Sequence, residues 1–323
     1  MGKPSKIRMD KGYVVPMTTL KDVLGHSQYA EVVRQALDIF VPLALRLPQL
    51  RDNPTAMREK VKATGRSGIT DVATNADVLM QEELRKKVEG MHDDWQFWGE
   101  ESTDNTVAYD ATKRYLFITD PIEGTNNFKA RKDDNWGSVV ALVDIATKKP
   151  VVGIIALPAR RRFYLGIKGT GAYIVTYDEH GRLRSISNMA REPEQAEFTY
   201  NNSPHFESAI IKQVKRFFAM GKVQPDNLFA DALEKSRKKI ILPDGSVFID
   251  PESGALEVVR NRGTIYFKTG NEMAAVVPIL EELGGNVTDA NGTIWHLGIS
   301  TLIAARTKAD YLHLKGIYER TVA

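Results

Sequence analysis

Apolar side chains recur close to every 3.6 positions along residues 27–47, SQYAEVVRQALDIFVPLALRL, and predict a helix, with Pro42 expected to kink or break it. The next patterned stretch, GRSGITDVATNADVLMQEELRKKVEG, predicts a helix from Ala76 to Val88. Thr74 or Asn75 would cap it, Asp77 would be a helix-start acid, and Gly90 would end it. WQFWGEES (Trp95 to Ser102) predicts a short strand leaving into a loop with paired glutamates, and RYLFITD a buried strand ending at Asp120. Between Trp136 and Val175, short Val/Ile-rich runs alternate with turns, as in WGSVVALVDI and PVVGIIALP, which predicts an antiparallel meander. Further helices are predicted over Ser203 to Lys222, Ser253 to Gly263 and Asn271 to Gly285, with a strand and turn in NVTDANG. The result is a mixed α+β and α/β pattern. A composition shift near Ser185 to Glu194 divides it into an α+β half, 1–185, and an α/β half, 186–323.

Composition narrows the class. The chain has 323 residues, 42% apolar and 26% charged, enough for a real hydrophobic core. No run of eighteen apolar residues exists, so no membrane span is expected, and the basic N-terminus MGKPSKIRMDKG lacks the apolar stretch of a secretory signal. Cysteine is absent, which excludes disulfides, thiolate metal sites and a cysteine nucleophile and fits a cytoplasmic protein. The net charge of +3 is spread over interspersed acids and bases. The densest basic clusters, Arg160 to Arg162 and Ser236 to Lys239, are not interleaved with aromatics, so nucleic acid is not the expected partner.

The candidate chemistry lies in acids at strand ends and helix starts: Asp71, Glu100, Asp120, Glu123 and Glu272. In ITDPIEGTNNF, Asp120 and Glu123 stand three residues apart against Gly124 and Thr125. Such crowded carboxylates repel unless a cation sits between them. Hard oxygen donors without cysteine or paired histidine select Mg²⁺, Mn²⁺ or Ca²⁺ over zinc. DPIEGT alone also suits a plain strand and turn. Its order after TDVATNAD and GEES, and before NEMAA, is what singles it out. His205 reads as a helix-start residue and Trp98 and Trp136 as packing aromatics.

With these motifs, the chain from about Gln28 to Ala305 resembles the inositol monophosphatase-like superfamily of metal-dependent phosphatases. That group includes inositol monophosphatases, fructose bisphosphatases and phosphatases acting on phosphorylated adenosine nucleotides. The resemblance implies a layered αβαβα sandwich with the active site between two halves, and a homodimer. It implies a Mg²⁺-dependent phosphomonoesterase acting on a small phosphorylated metabolite, a sugar, polyol or nucleotide-type phosphate, through metal-activated water. Two or three Mg²⁺ per site are implied, with Mn²⁺ as a substitute. Glu100, Asp120 and the Ile122 carbonyl would hold one ion; Asp120, Glu123 and Glu272 would hold a second. Gly124 and Thr125 would open a helix that binds phosphate. Thr125 with Asp71 would act on the attacking water, Glu100 would count among the catalytic groups, and Thr74 would support the loop.

Three positions depart from the family pattern. Glu123 stands where Asp is usual, Asn271-Glu272 where Trp-Asp is common, and Lys268 where inositol phosphatases have an acid that contacts polyol hydroxyls. A lysine there favours a second anionic group on the substrate. The first two departures motivate the other reading, a family member that binds phosphometabolites in a regulatory role without turnover.

Overall fold

The computed structural model describes residues 19–25, 27–64, 70–102, 109–131, 136–194, 197–200, 239–241, 247–249, 259–266, 272–297 and 301–322. In some of these stretches only the backbone is described, including at Asp71 and Glu272. Lys268, His205, the helix predicted over Ser203 to Lys222 and most of that over Ser253 to Gly263 lie outside the described residues.

The first predicted helix is α2 (Ala30–Ala44), which follows the short α1 (Leu20–Leu24) and precedes α3 (Leu47–Leu50). It buries Val33, Ala36, Leu37, Phe40 and Ala44 along one face. Pro42 neither ends nor breaks it. This proline lies on the exposed side, so the Asp38 carbonyl that loses its N–H partner is turned towards water. The strands β1 (Glu59–Thr64) and β2 (Thr70–Thr74) form an antiparallel ribbon that leads into α4 (Asn75–Met91). Thr74 is the N-cap of α4, in a reciprocal capping box with Asp77.

Seven strands form the first sheet: β3 (Trp95–Gly99), β4 (Tyr115–Glu123), β5 (Gly137–Asp144), β6 (Lys149–Leu157), β7 (Arg162–Ile167), β8 (Gly171–Tyr177) and β9 (Leu183–Asn188), neighbouring in that order. Only β3 and β4 run parallel; the rest is the predicted meander. β4 is buried over all nine residues, because helices cover both faces of the sheet. Tyr115 and Phe117 join the core under α2 and α4, whereas Leu116 and Ile118 join the core on the opposite face.

That opposite face carries a 3₁₀ turn, Glu272–Ala275, which runs into the predicted late helix, α6 (Val276–Glu282). The turn rests directly on β6: a β-carbon at Gly153 would collide with the Ala275 carbonyl oxygen. A second, six-stranded sheet lies beyond it, ordered β11 (Lys239–Ile241), β12 (Val247–Ile249), β10 (Phe198–Tyr200), β13 (Gly263–Tyr266), β15 (Leu302–Ala305), β14 (Asn286–Asp289). Leu302 and Ala304 face the core shared with α6. Gly263, on the other face, meets Leu314 of α7 (Lys308–Val322). Helices, sheet, helix, sheet and helix thus stack in five layers.

The chain crosses between sheets after Asn188. Arg306, 3% exposed, donates to the carbonyls of Ala190 at 2.8 Å and Glu192 at 3.0 Å, and to that of Val259, binding the crossing to the second sheet. No helix among the described residues is long and apolar enough to cross a membrane.

Because backbone sits where a side chain at position 153 would go, Gly153→Val forces the 3₁₀ turn off β6. Urea denaturation is expected to show a loss of about 1–3 kcal/mol or more.

Candidate active site

The site is built at the end of β4, where a strand buried throughout stops being regular. Asp120 pairs with Val139 and Glu123 with Gly137, so three steps on β4 face two on β5. The extra residue makes a β-bulge at Pro121-Ile122, and proline suits it because it has no N–H to give to the ladder. The Ile122 N–H turns back to donate to Asp120 Oδ1 at 3.1 Å. The bulge also returns the Ile122 side chain to the α2/α4 core. Both carboxylates are held close to the interior: Asp120 is 5% exposed and Glu123 7%.

Gly124 then reverses the chain at φ 80° and caps α5 (Thr125–Ala130), the helix start expected there. Any other L-residue at this backbone angle costs roughly 1–2 kcal/mol. Phe128 pins α5 by packing edge-on against Trp136, with ring centroids 4.8 Å apart. The Arg51 guanidinium lies over both rings.

The Thr125 hydroxyl stands between two acceptors, the Ile122 carbonyl at 2.9 Å and Asp77 Oδ1 at 3.2 Å. Its one proton can serve only one of them at a time. Asp77 is 1% exposed, and its other oxygen accepts the Thr74 N–H at 2.7 Å and the Thr74 hydroxyl at 2.6 Å. Asp77 is therefore a helix-start acid, as expected, and it is also bonded to Thr125; the Asp71 side chain lies outside the described residues. The clue was present in the spacing: an acid three residues after Thr74 closes a capping box and is thereby fixed at the start of α4. The Asp71 backbone lies on β2 opposite Ala63.

Glu100 follows β3 directly. Its N–H donates to the Thr119 carbonyl at 3.1 Å, extending the parallel ladder so that Glu100 comes alongside Asp120. Glu272 opens the 3₁₀ turn that packs against β4, β5 and β6, on the face where Leu116 and Ile118 point. Among the described residues, no three acids or histidines are grouped so as to hold a metal ion. The Asp71 and Glu272 side chains stand outside that comparison. Asp120, Glu123 and the Ile122 carbonyl at the bulge, and Glu100 at the end of the neighbouring strand, are all hard oxygen donors and suit Mg²⁺ better than a softer metal.

Asp77→Ala removes both Thr74 bonds and the Thr125 contact. It is expected to lower stability by about 1–2 kcal/mol in urea denaturation, through the lost cap alone.

The model of the Inositol monophosphatase family matches residues 34–321. Inositol monophosphatase 3 of Solanum lycopersicum is 27% identical over 145 residues, 44% of this chain and 51% of that protein, so the match spans about half of its length. Inositol monophosphatase 1 of Xenopus laevis is 23% identical over 264 residues, 78% of this chain and 82% of that protein. Among solved structures, an IMPase/NADP phosphatase complexed with NADP and Ca²⁺ superposes with a TM-score of 0.61 at 18% identity, covering 90% of this chain and 96% of that one. At that identity the likeness speaks for the fold. The family match over most of the length carries the assignment: this chain belongs to the inositol monophosphatase family, a family of phosphatases.

Proposed function

We propose that this chain is a Mg²⁺-dependent phosphomonoesterase that hydrolyses a small phosphorylated metabolite with water as the nucleophile. The observation that carries the reading is the bonded set at the bulge: Asp120, the Ile122 carbonyl and Glu123 on one side, and the Thr125–Asp77 pair on the other. In this reading Glu100, Asp120, the Ile122 carbonyl, Glu123 and Glu272 hold the metal. A bound divalent cation supplies charge that polarises the phosphoryl group and brings the pKa of a bound water down towards neutrality.

The protein's own groups do the rest. Thr125 Oγ1 accepts a proton from the attacking water while its own proton passes to Asp77 Oδ1, the carboxylate oxygen bonded to it. The two Thr74 bonds hold the Asp77 carboxylate in place for that transfer. Backbone N–H groups at the start of α5 would be available to phosphate oxygens. Glu123, about one C–C bond or roughly 1.5 Å longer than the usual Asp, offers the same oxygens from a slightly different point.

The substrate proposed is a sugar, polyol or nucleotide-type phosphate. Lys268 in the sequence and the NADP-bound neighbour both support an ester carrying a second anionic group. Phosphate release from inositol monophosphate, fructose 1,6-bisphosphate and adenosine 3′,5′-bisphosphate, with Mg²⁺ and with chelator, tests the reading. Turnover is expected only with Mg²⁺. Asp120→Asn should reduce it by more than about 100-fold, beyond what the loss of a residue supporting a ligand costs. Undiminished turnover in that variant sinks the assignment.

A further inference from the structure

Helix α4 carries a second buried polar side chain on the face that presents Asp77. Gln81 lies one turn further on and is 2% exposed. Its Oε1 accepts the Glu101 N–H at 2.9 Å, and its Nε2 reaches Ser102 Oγ at 3.4 Å. Ser102 in turn closes the turn after β3: its N–H donates to the Gly99 carbonyl at 2.9 Å, and its Oγ is 3.4 Å from the Gly99 N–H. The amide of Gln81 fills the space above Gly99, and a β-carbon on residue 99 would overlap it. Glu100 is the residue inside this turn. Its own backbone is tied to Thr119, so the turn has two anchors, β4 and Gln81.

We infer that Gln81 is a positioning residue for metal binding: it sets the turn that aims Glu100. One rigid helix then places both sides of the reaction, Asp77 and Thr125 for the water, and Gln81 and Glu100 for the cation. The register between them is the i, i+4 spacing of α4, which puts the two side chains on one face. This inference rests on the metal-dependent reading above. Gln81 need not touch metal or substrate. Its part is to accept the Glu101 N–H, and a glutamate can keep that bond where a leucine of similar bulk cannot.

The test is direct Mn²⁺ binding to metal-free protein, followed by electron paramagnetic resonance of the free ion. It compares wild type, Gln81→Leu, Gln81→Glu and Gly99→Ala, with urea midpoints for each. Gly99→Ala keeps the glutamine but pushes its amide away, so it carries the test if Gln81→Leu does not fold. Mn²⁺ affinity is expected to fall about 10- to 100-fold in Gln81→Leu and Gly99→Ala. Gln81→Glu should retain it, and kcat should follow the metal affinity with the substrate KM little changed. Amide exchange at Glu101 in the absence of metal should be faster in Gln81→Leu than in Gln81→Glu. Wild-type Mn²⁺ affinity in folded Gln81→Leu and Gly99→Ala overturns the inference and leaves the metal reading standing. Failure of the wild type itself to bind Mn²⁺ overturns both.

Discussion

Two carboxylates three residues apart, on a strand with no exposed residue, set the terms for the rest of the molecule. Taking an ionised carboxylate out of water costs several kcal/mol, and a second beside it adds repulsion, so such groups persist only where opposite charge and hydrogen bonds surround them. At Asp120 the backbone is arranged to supply part of this. The bulge at Pro121-Ile122 folds an N–H back onto Asp120, and Gly124 turns the chain so that Thr125 lies over the Ile122 carbonyl. A regular strand would send alternate side chains to opposite faces and could not gather these groups at one end.

Holding that bulge in place is the work of elements from three layers. The capping box of α4 fixes Asp77 against Thr125, and Gln81 on the same helix fixes the turn after β3. On the other face, the 3₁₀ turn that begins at Glu272 comes in contact with the sheet only because Gly153 leaves room for its backbone. Phe128 and Trp136, under the Arg51 guanidinium, seat the short helix that follows the bulge. A site assembled in this way is sensitive to small backbone shifts in elements that never meet a substrate.

The architecture also accounts for the parts of the chain that do no chemistry. Arg306 reaches back from the end of β15 to the carbonyls of the segment joining the two sheets, a use that suits a planar group with several donors. Burial lowers the pKa of this guanidinium from its ordinary value, against the pull of Glu194. The segment near residues 189–192 marks the change in composition, but its carbonyls are tied to the second sheet rather than left as a free linker.

Local pattern was enough for much of this. The 3.6-residue spacing of α2, the cap at Thr74, the β-rich meander and the order of the acids are properties of neighbours in sequence, and each was legible before any coordinates. What sequence could not decide was which groups meet across long separations. Whether Pro42 breaks α2 depended on which side of the helix met water. That Asp77 bonds to Thr125 as well as capping α4 depended on how α4 lies against β4. In sequence Gln81 is a single polar residue on a helix; only folding brings its amide over Gly99. Those decisions belong to tertiary structure because hydrogen bonds between residues 20 to 50 positions apart are set by packing, not by local backbone preference.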